Sequence, residues 1–242
     1  MPFLRTNPHG ARLHVFANTD TFSLRESFKE AFSRPFTAGY VRAAMGWFVL
    51  SVIFHSIHPF VGQLGSIITM TGVSVVWYRS LAFQEQSPLL RFSKREGIFL
   101  FYSLFMMMVA LLIGLGITFV AARFGVAGLS LAGLLMTGAS FWFMPFVFVF
   151  LGLIAMGFDD NRTIGFVKGI VLPIHLQLLF GYMSILLFHT CVVVGVALMR
   201  VDLGFFSILF DIIFIALEFL FAGVMVTFTS HVIYTRCRYE KP

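Results

Sequence analysis

Six apolar runs of membrane length dominate the hydrophobic pattern, at residues 41–58, 61–83, 97–121, 131–157, 167–199 and 203–235. A transmembrane helix needs roughly 20 predominantly apolar residues. The pattern therefore predicts an all-α, polytopic membrane protein with six transmembrane helices in a single domain over residues 39–235. His55-Ser56-Ile57-His58-Pro59 joins the first two runs so briefly that they must be antiparallel neighbours, and Met199-Arg200-Val201-Asp202 makes a second tight hairpin between the last two. The fifth and sixth runs are longer than a bilayer needs and are expected to tilt or to project from it. Pro145 and Pro173 fall inside the fourth and fifth runs, where each removes a backbone donor and favours a kink.

The segment before the first run is patterned differently. Residues 1–20 show no periodicity. Over residues 22–34, Ser23 and Glu26 have the spacing of a capping box. Leu24, Phe28, Ala31 and Phe32 fall on one helical face, and Arg25, Lys29, Glu30 and Arg34 take the other. This predicts a short amphipathic helix, either lying in the membrane interface or packed on the protein itself. Small residues suggest close helix approach in two places: Gly65, Thr69, Gly72 and Val76 along one face of the second run, and Gly165 with Gly169 at the entry to the fifth.

Charge orients the bundle. With the N-terminus inside, the inner segments collect Arg5, Arg12, Arg25, Lys29, Arg34 and Arg42, then Arg79, Arg91, Lys94 and Arg95. Arg162, Lys168 and the tail residues Arg236, Arg238 and Lys241 follow. Of the 17 Lys and Arg, only Arg123 and Arg200 fall outside. The positive-inside rule thus predicts both termini, including the basic tail 236–242, in the cytoplasm. Hydrophobic residues make up 59% of the chain and charged residues 12%, against about 25% charged in a soluble domain. The net charge of +6 lies in loops and at helix ends rather than on a basic aromatic surface, so no nucleic-acid partner is expected. The first long apolar stretch begins well inside the chain, so a cleaved leader is not expected. Cys191 and Cys237 are too few and too far apart for a disulfide framework, and they form no metal site by themselves.

Candidate chemistry is sparse. The sequence contains no Gly-rich phosphate loop, HExxH or nucleophile elbow, so no enzyme activity and no cofactor are expected. Asp211 and Glu218 lie seven residues apart on one face of the sixth run. Ionisable groups at that depth are expensive and usually face a bundle interior or an aqueous cavity. His189 on the fifth run should reach a similar depth to Asp211, which suggests a buried His189–Asp211 pair. Together these residues form a candidate intramembrane polar site. His175 and His189, 14 residues apart on one helix, are separated by about 21 Å, which raises a haem-anchor alternative with His231 as a further ligand. Asp159 and Asp160 precede Arg162 in a short polar turn, read as a helix cap.

The second run ends in Val76-Trp77-Tyr78-Arg79-Ser80-Leu81-Ala82-Phe83-Gln84-Glu85, followed by Pro88 and by Leu90-Arg91-Phe92-Ser93-Lys94-Arg95-Glu96. Trp77 and Tyr78 are expected at headgroup level. Arg79, Arg91, Lys94 and Arg95 are expected to meet anionic lipid on the cytoplasmic side. This stretch resembles a group of bacterial six-helix inner-membrane proteins, similar to the membrane domain attached to some glycerophosphodiester phosphodiesterases. In those, a Trp-His-Arg closes the helix, and here Tyr78 replaces the His. The resemblance implies a bacterial inner-membrane domain that handles lipids or holds partners. It does not carry phosphodiesterase activity, because the soluble catalytic barrel is missing. The reading that follows is a non-enzymatic scaffold or accessory subunit, working as a homo-oligomer or with other membrane subunits. The alternatives are a small transporter with a polar path at Asp211 and Glu218, and the haem anchor.

Overall fold

The computed structural model describes residues 12–15, 22–57, 59–83, 92–158, 163–202 and 207–240. Among the described residues eight helices carry the fold: α1 (Leu24–Ser33), α2 (Ala38–Ile57), α3 (Pro59–Phe83), α4 (Lys94–Ala122), α5 (Gly125–Ala155), α6 (Thr163–Val171), α7 (His175–Asp202) and α8 (Ser207–Arg236). Six helical segments are long and apolar enough to cross a membrane, with α6 and α7 forming one of them. The protein is an all-α, multi-pass membrane protein. A short antiparallel ribbon pairs β1 (Arg12–Val15) with β2 (Cys237–Glu240), setting Val15 opposite Cys237. The segment before α1 therefore has a strand that its unpatterned sequence does not announce.

Local chemistry explains the helix ends. Ser23 Oγ accepts from Glu26 N at 3.3 Å, so the expected cap starts α1. Only the serine half of the expected box is made in α1, whereas a full capping box starts α4: Ser93 N donates to Glu96 Oε2 at 2.7 Å, and Ser93 Oγ also meets that oxygen. Pro59 opens α3, where its missing N–H is no loss. The turn between α4 and α5 is much tighter than the apolar pattern suggests, since only Arg123 and Phe124 separate the two helices. Gly125 makes this possible with φ +68°, a backbone state that disfavours other residues. Residues 125–130, expected as loop, are consequently helical. Pro145 is accommodated within α5, whereas Pro173 sits in a 3-10 turn, Leu172–Ile174, that separates α6 from α7.

α8 is the hub of the packing. It contacts α1, α2, α3, α5 and α7, and Val224, Phe228, Val232 and Ile233 on it are buried. The α2–α3 hairpin is sealed by aromatic rings over glycines, as the small face of the second run predicts. The Cβ position at Gly65 falls 2.3 Å from Phe54, and that at Gly72 falls 2.5 Å from Trp47. Thr69 between them is buried and donates to Gly65 O at 2.9 Å. At Gly165, of the other small pair, the Cβ position is open. α4 packs mainly on α5 and little on anything else, leaving the hairpin tip to lipid.

Helix α1 does not rest on its apolar face alone against lipid. It packs along α8 and touches α7. Ser27 and Ala31 are fully buried, Phe28 meets the ring of Phe228, and Leu24 reaches Gly181. The hydrophobic face of this helix is thus part of the protein's own core, and Phe36 beyond its end stays exposed.

Two outcomes test this arrangement. Gly72→Ala should lower the thermal midpoint in detergent, by a destabilisation of about 1–3 kcal/mol, because the new methyl meets the Trp47 ring. Gly116→Ala, where the Cβ position is open, should leave it unchanged. Burial pushes the Cys237 thiol up to about 12 from 9.0, so at pH 8 it stays protonated and unreactive. In a Cys191→Ser background, iodoacetamide should alkylate Cys237 about a thousand times more slowly in the folded than in the unfolded chain at pH 8. The folded-state rate should climb with pH toward 12. Deleting residues 1–16, which removes β1, should raise that rate.

Candidate functional site

The intramembrane ionisable groups do not assemble as the sequence suggests. His189 does not pair with Asp211. Its Nε2 lies 3.4 Å from Glu218 Oε1, in ion-pair range but without hydrogen-bond geometry. The link expected as a hairpin, Met199–Asp202, is the last turn of α7, and α8 begins only at Ser207, so counting back from these ends sets His189 against Glu218 and not Asp211. Phe221 fixes the imidazole by stacking on it, with ring centroids 3.9 Å apart. Asp211 is two turns away on α8 and half-buried, so it shares a face with Glu218 but not its partner.

The direction of this pair matters more than its composition. The Glu218 side chain is 48% exposed, although it stands near the middle of α8. Beside it lies an apolar hollow of about 120 Å³, lined by Leu217, Leu220, Val192 and Phe36. The carboxylate therefore looks out of the six-span body through an apolar surface. It does not look into an enclosed polar path. Intramembrane acids are normally turned inward, so this orientation is the anomaly of the structure.

The aromatic and basic residues at the end of α3 also take up positions different from those expected. Trp77 and Tyr78 are each only 3% exposed and sit in the core, not among headgroups. Trp77 Nε1 donates to Tyr40 O at 3.3 Å. Tyr78 packs over Gly152 beside Thr229. Thr229 Oγ1 donates to Met225 O, so Tyr182 donates its hydroxyl proton to Thr229 at 2.9 Å. These rings are inside because Gly152 and Gly223 leave room for them on the facing helices. Arg95 is turned inward, its guanidinium 2.8 Å from the Cβ position of Gly157. Arg79 is partly buried and engaged within the protein. Lys94 is exposed, as a headgroup contact requires. Arg91, like the Asp159–Arg162 turn, lies outside the described residues.

The three histidines of the haem-anchor alternative have separate surroundings. His175 is buried between Trp142 and Phe146, and its Nε2 donates to Trp142 O at 2.9 Å. That hydrogen bond commits the nitrogen that would ligate iron. His189 and His231 line separate hollows. Among the described residues, no group of three or more His, Cys, Asp or Glu could hold a metal ion.

His231 has a defined role that the sequence does not reveal. Its Nδ1 lies 2.9 Å from Ser27 Oγ, tying α8 to α1. Ser27 Oγ gives its own proton to Ser23 O at 2.9 Å. The imidazole must therefore donate from Nδ1, which makes Nε2 the acceptor of the neutral ring. The polar run Thr227-Phe228-Thr229-Ser230-His231 was the signal in the sequence, since an uninterrupted lipid-facing helix has no use for four such residues.

No family model matches the chain, and neither a curated protein nor a solved structure does.

If the outward orientation of Glu218 is correct, Glu218→Leu should not destabilise the isolated protein. Removing an acid from an apolar surface should favour insertion by about 3 kcal/mol. His189→Leu, which leaves the carboxylate without its partner, should lower the thermal midpoint. Thermal unfolding of both variants in the same detergent checks the pair of signs.

Proposed function

We propose that this protein is a non-enzymatic accessory subunit of a membrane complex, with the Glu218 surface of α7 and α8 covered by a helix of another membrane protein. The observation that carries this reading is the outward-facing His189–Glu218 pair beside an apolar hollow. An acid exposed at mid-membrane is costly to an isolated chain. A partner helix that brings a hydrogen-bond donor to Glu218 removes that cost and gains specificity from it. The apolar hollow, ringed by Leu217, Leu220 and Val192, offers the packing surface around that polar point. The membrane concerned is a bacterial inner membrane, with both termini in the cytoplasm. The distribution of Lys and Arg supports that orientation, and the pairing of β1 with β2 keeps both end segments on one side.

A transporter with a path at Asp211 and Glu218 is the second reading. The pair itself favours it, but the exposed side of Glu218 requires several copies of the chain to enclose a path.

Photo-cross-linking separates the two. A photoreactive residue at Leu217 or Leu220, introduced in native membranes, should give one discrete heteromeric adduct. Glu218→Leu should reduce that adduct at least tenfold while the protein still inserts. Adducts containing only this chain, together with pH-dependent ion flux in proteoliposomes, would overturn the subunit reading in favour of transport.

A further inference from the structure

A second polar feature lies at the opposite end of α8 from its hairpin with α7. The ends of α3, α5 and α8 leave a half-open hollow of about 230 Å³, and α1 forms its outer wall. Its polar lining is Glu30 from α1, Arg34 directly after it, and Thr227, Ser230 and His231 from α8. Leu81 and Met156 make the apolar side. We propose that this hollow binds the headgroup of a zwitterionic phospholipid, a phosphate ester joined to a primary ammonium.

The donor and acceptor inventory leads to that class. Arg34 Nε donates to Glu30 Oε2 at 2.6 Å. This uses one of the guanidinium's five N–H donors and leaves neither sign in excess at the rim. A purely anionic ligand must compete with Glu30 for Arg34. A purely cationic one must compete with Arg34 for Glu30. A ligand carrying both signs can lay its phosphate toward Arg34 and its ammonium toward Glu30, extending the existing pair instead of breaking it.

The buried side of the hollow supplies the same two functions. Ser230 is 6% exposed, and its hydroxyl oxygen makes no hydrogen bond among the described residues. Thr227, also buried, lies close to the Tyr40 hydroxyl without hydrogen-bond geometry. A hydroxyl left unsatisfied at such a site is costly, and a phosphate oxygen satisfies it. His231 contributes an acceptor, because Ser27 holds its proton on Nδ1, and a primary ammonium has N–H groups to give to Nε2. A quaternary ammonium has none, and its recognition relies on an aromatic cage, toward which the described lining residues bring one Phe, Tyr or Trp ring, that of Tyr234. The location completes the case. The hollow opens where three membrane-length helices end, at the depth of headgroups, and its volume suits a headgroup without its chains. Glu218 takes no part in this hollow, which is independent of the subunit surface.

Native mass spectrometry of the full chain in mild detergent, with added phosphatidylethanolamine, phosphatidylcholine or phosphatidylglycerol, tests the site. The wild type should retain one phosphatidylethanolamine at least tenfold more than either of the others. Arg34→Gln at an exposed position and Glu30→Gln at a half-buried one should each abolish that preference, and Ser230→Ala should weaken it. Lys94→Gln, an exposed cation outside the hollow, should preserve it. Equal retention of the three lipids by the wild type, or a preference unchanged in both charge variants, would overturn the proposal. Soluble O-phosphoethanolamine added in excess distinguishes the source. If it leaves the bound lipid in place, the ligand is the membrane lipid. If it displaces the lipid completely, the recognition chemistry stands and the ligand is a free small molecule.

Discussion

The indole of Trp77 occupies the seam on which the helical packing depends. It reaches Tyr40 O on α2 through its N–H. Its ring edge lies 3.1 Å from the Cβ position of Gly223 on α8, and Pro35, after α1, closes over the same glycine at 3.2 Å. Four segments thus meet around one large side chain and one missing side chain. In hydrocarbon there is little hydrophobic drive to bring helices together, so close van der Waals fit has to supply it. Rings set over glycines provide that fit, and the motif recurs where Trp47 covers Gly72, Phe54 covers Gly65 and Phe228 covers Gly181. The unusual number of Phe, 32 in all, is partly accounted for by this arrangement.

How far the sequence reveals the fold follows from the same physics. Apolar length is a property of each segment alone, so six spans could be read directly from the pattern. The start of α1 was equally local, because Ser23 and Glu26 are neighbours on one turn. The end of α3 was harder. A Trp-Tyr-Arg at a helix terminus has the composition of an interface belt, and only the glycines of two distant helices turn Trp77 and Tyr78 into core residues. The His189 partner was missed for a similar reason. Counted from a hairpin at Met199–Asp202 the partner is Asp211, but α7 continues to Asp202 and α8 starts at Ser207, which moves the match along α8 to Glu218, where Phe221 stacks on the imidazole. No local signal reports which side of a helix faces outward, and for Glu218 that is the point that decides its meaning.

The polar groups of α8 divide into three zones along one helix. Asp211 and Glu218 stand in the half that faces α7. Thr229 is enclosed in the middle of the bundle with Tyr182. Ser230 and His231 open onto the hollow beneath α1. Each zone has a different exposure, so a single polar path running along α8 does not describe them. By contrast, the outer part of the α4–α5 hairpin carries apolar side chains over most of its surface.

The tie between Ser27 and His231 spans 204 positions of sequence, and the ribbon joins segments farther apart still. Contacts of such long range cannot form until the last helix has been synthesised and inserted. The amphipathic α1, although made first, therefore has its permanent docking groove only at the end of biogenesis. Until then its apolar face must be accommodated elsewhere, and the membrane surface beside the ribosome is the nearest apolar phase. Helix α1 is in this sense a closing clasp, made before the groove on α8 that receives it.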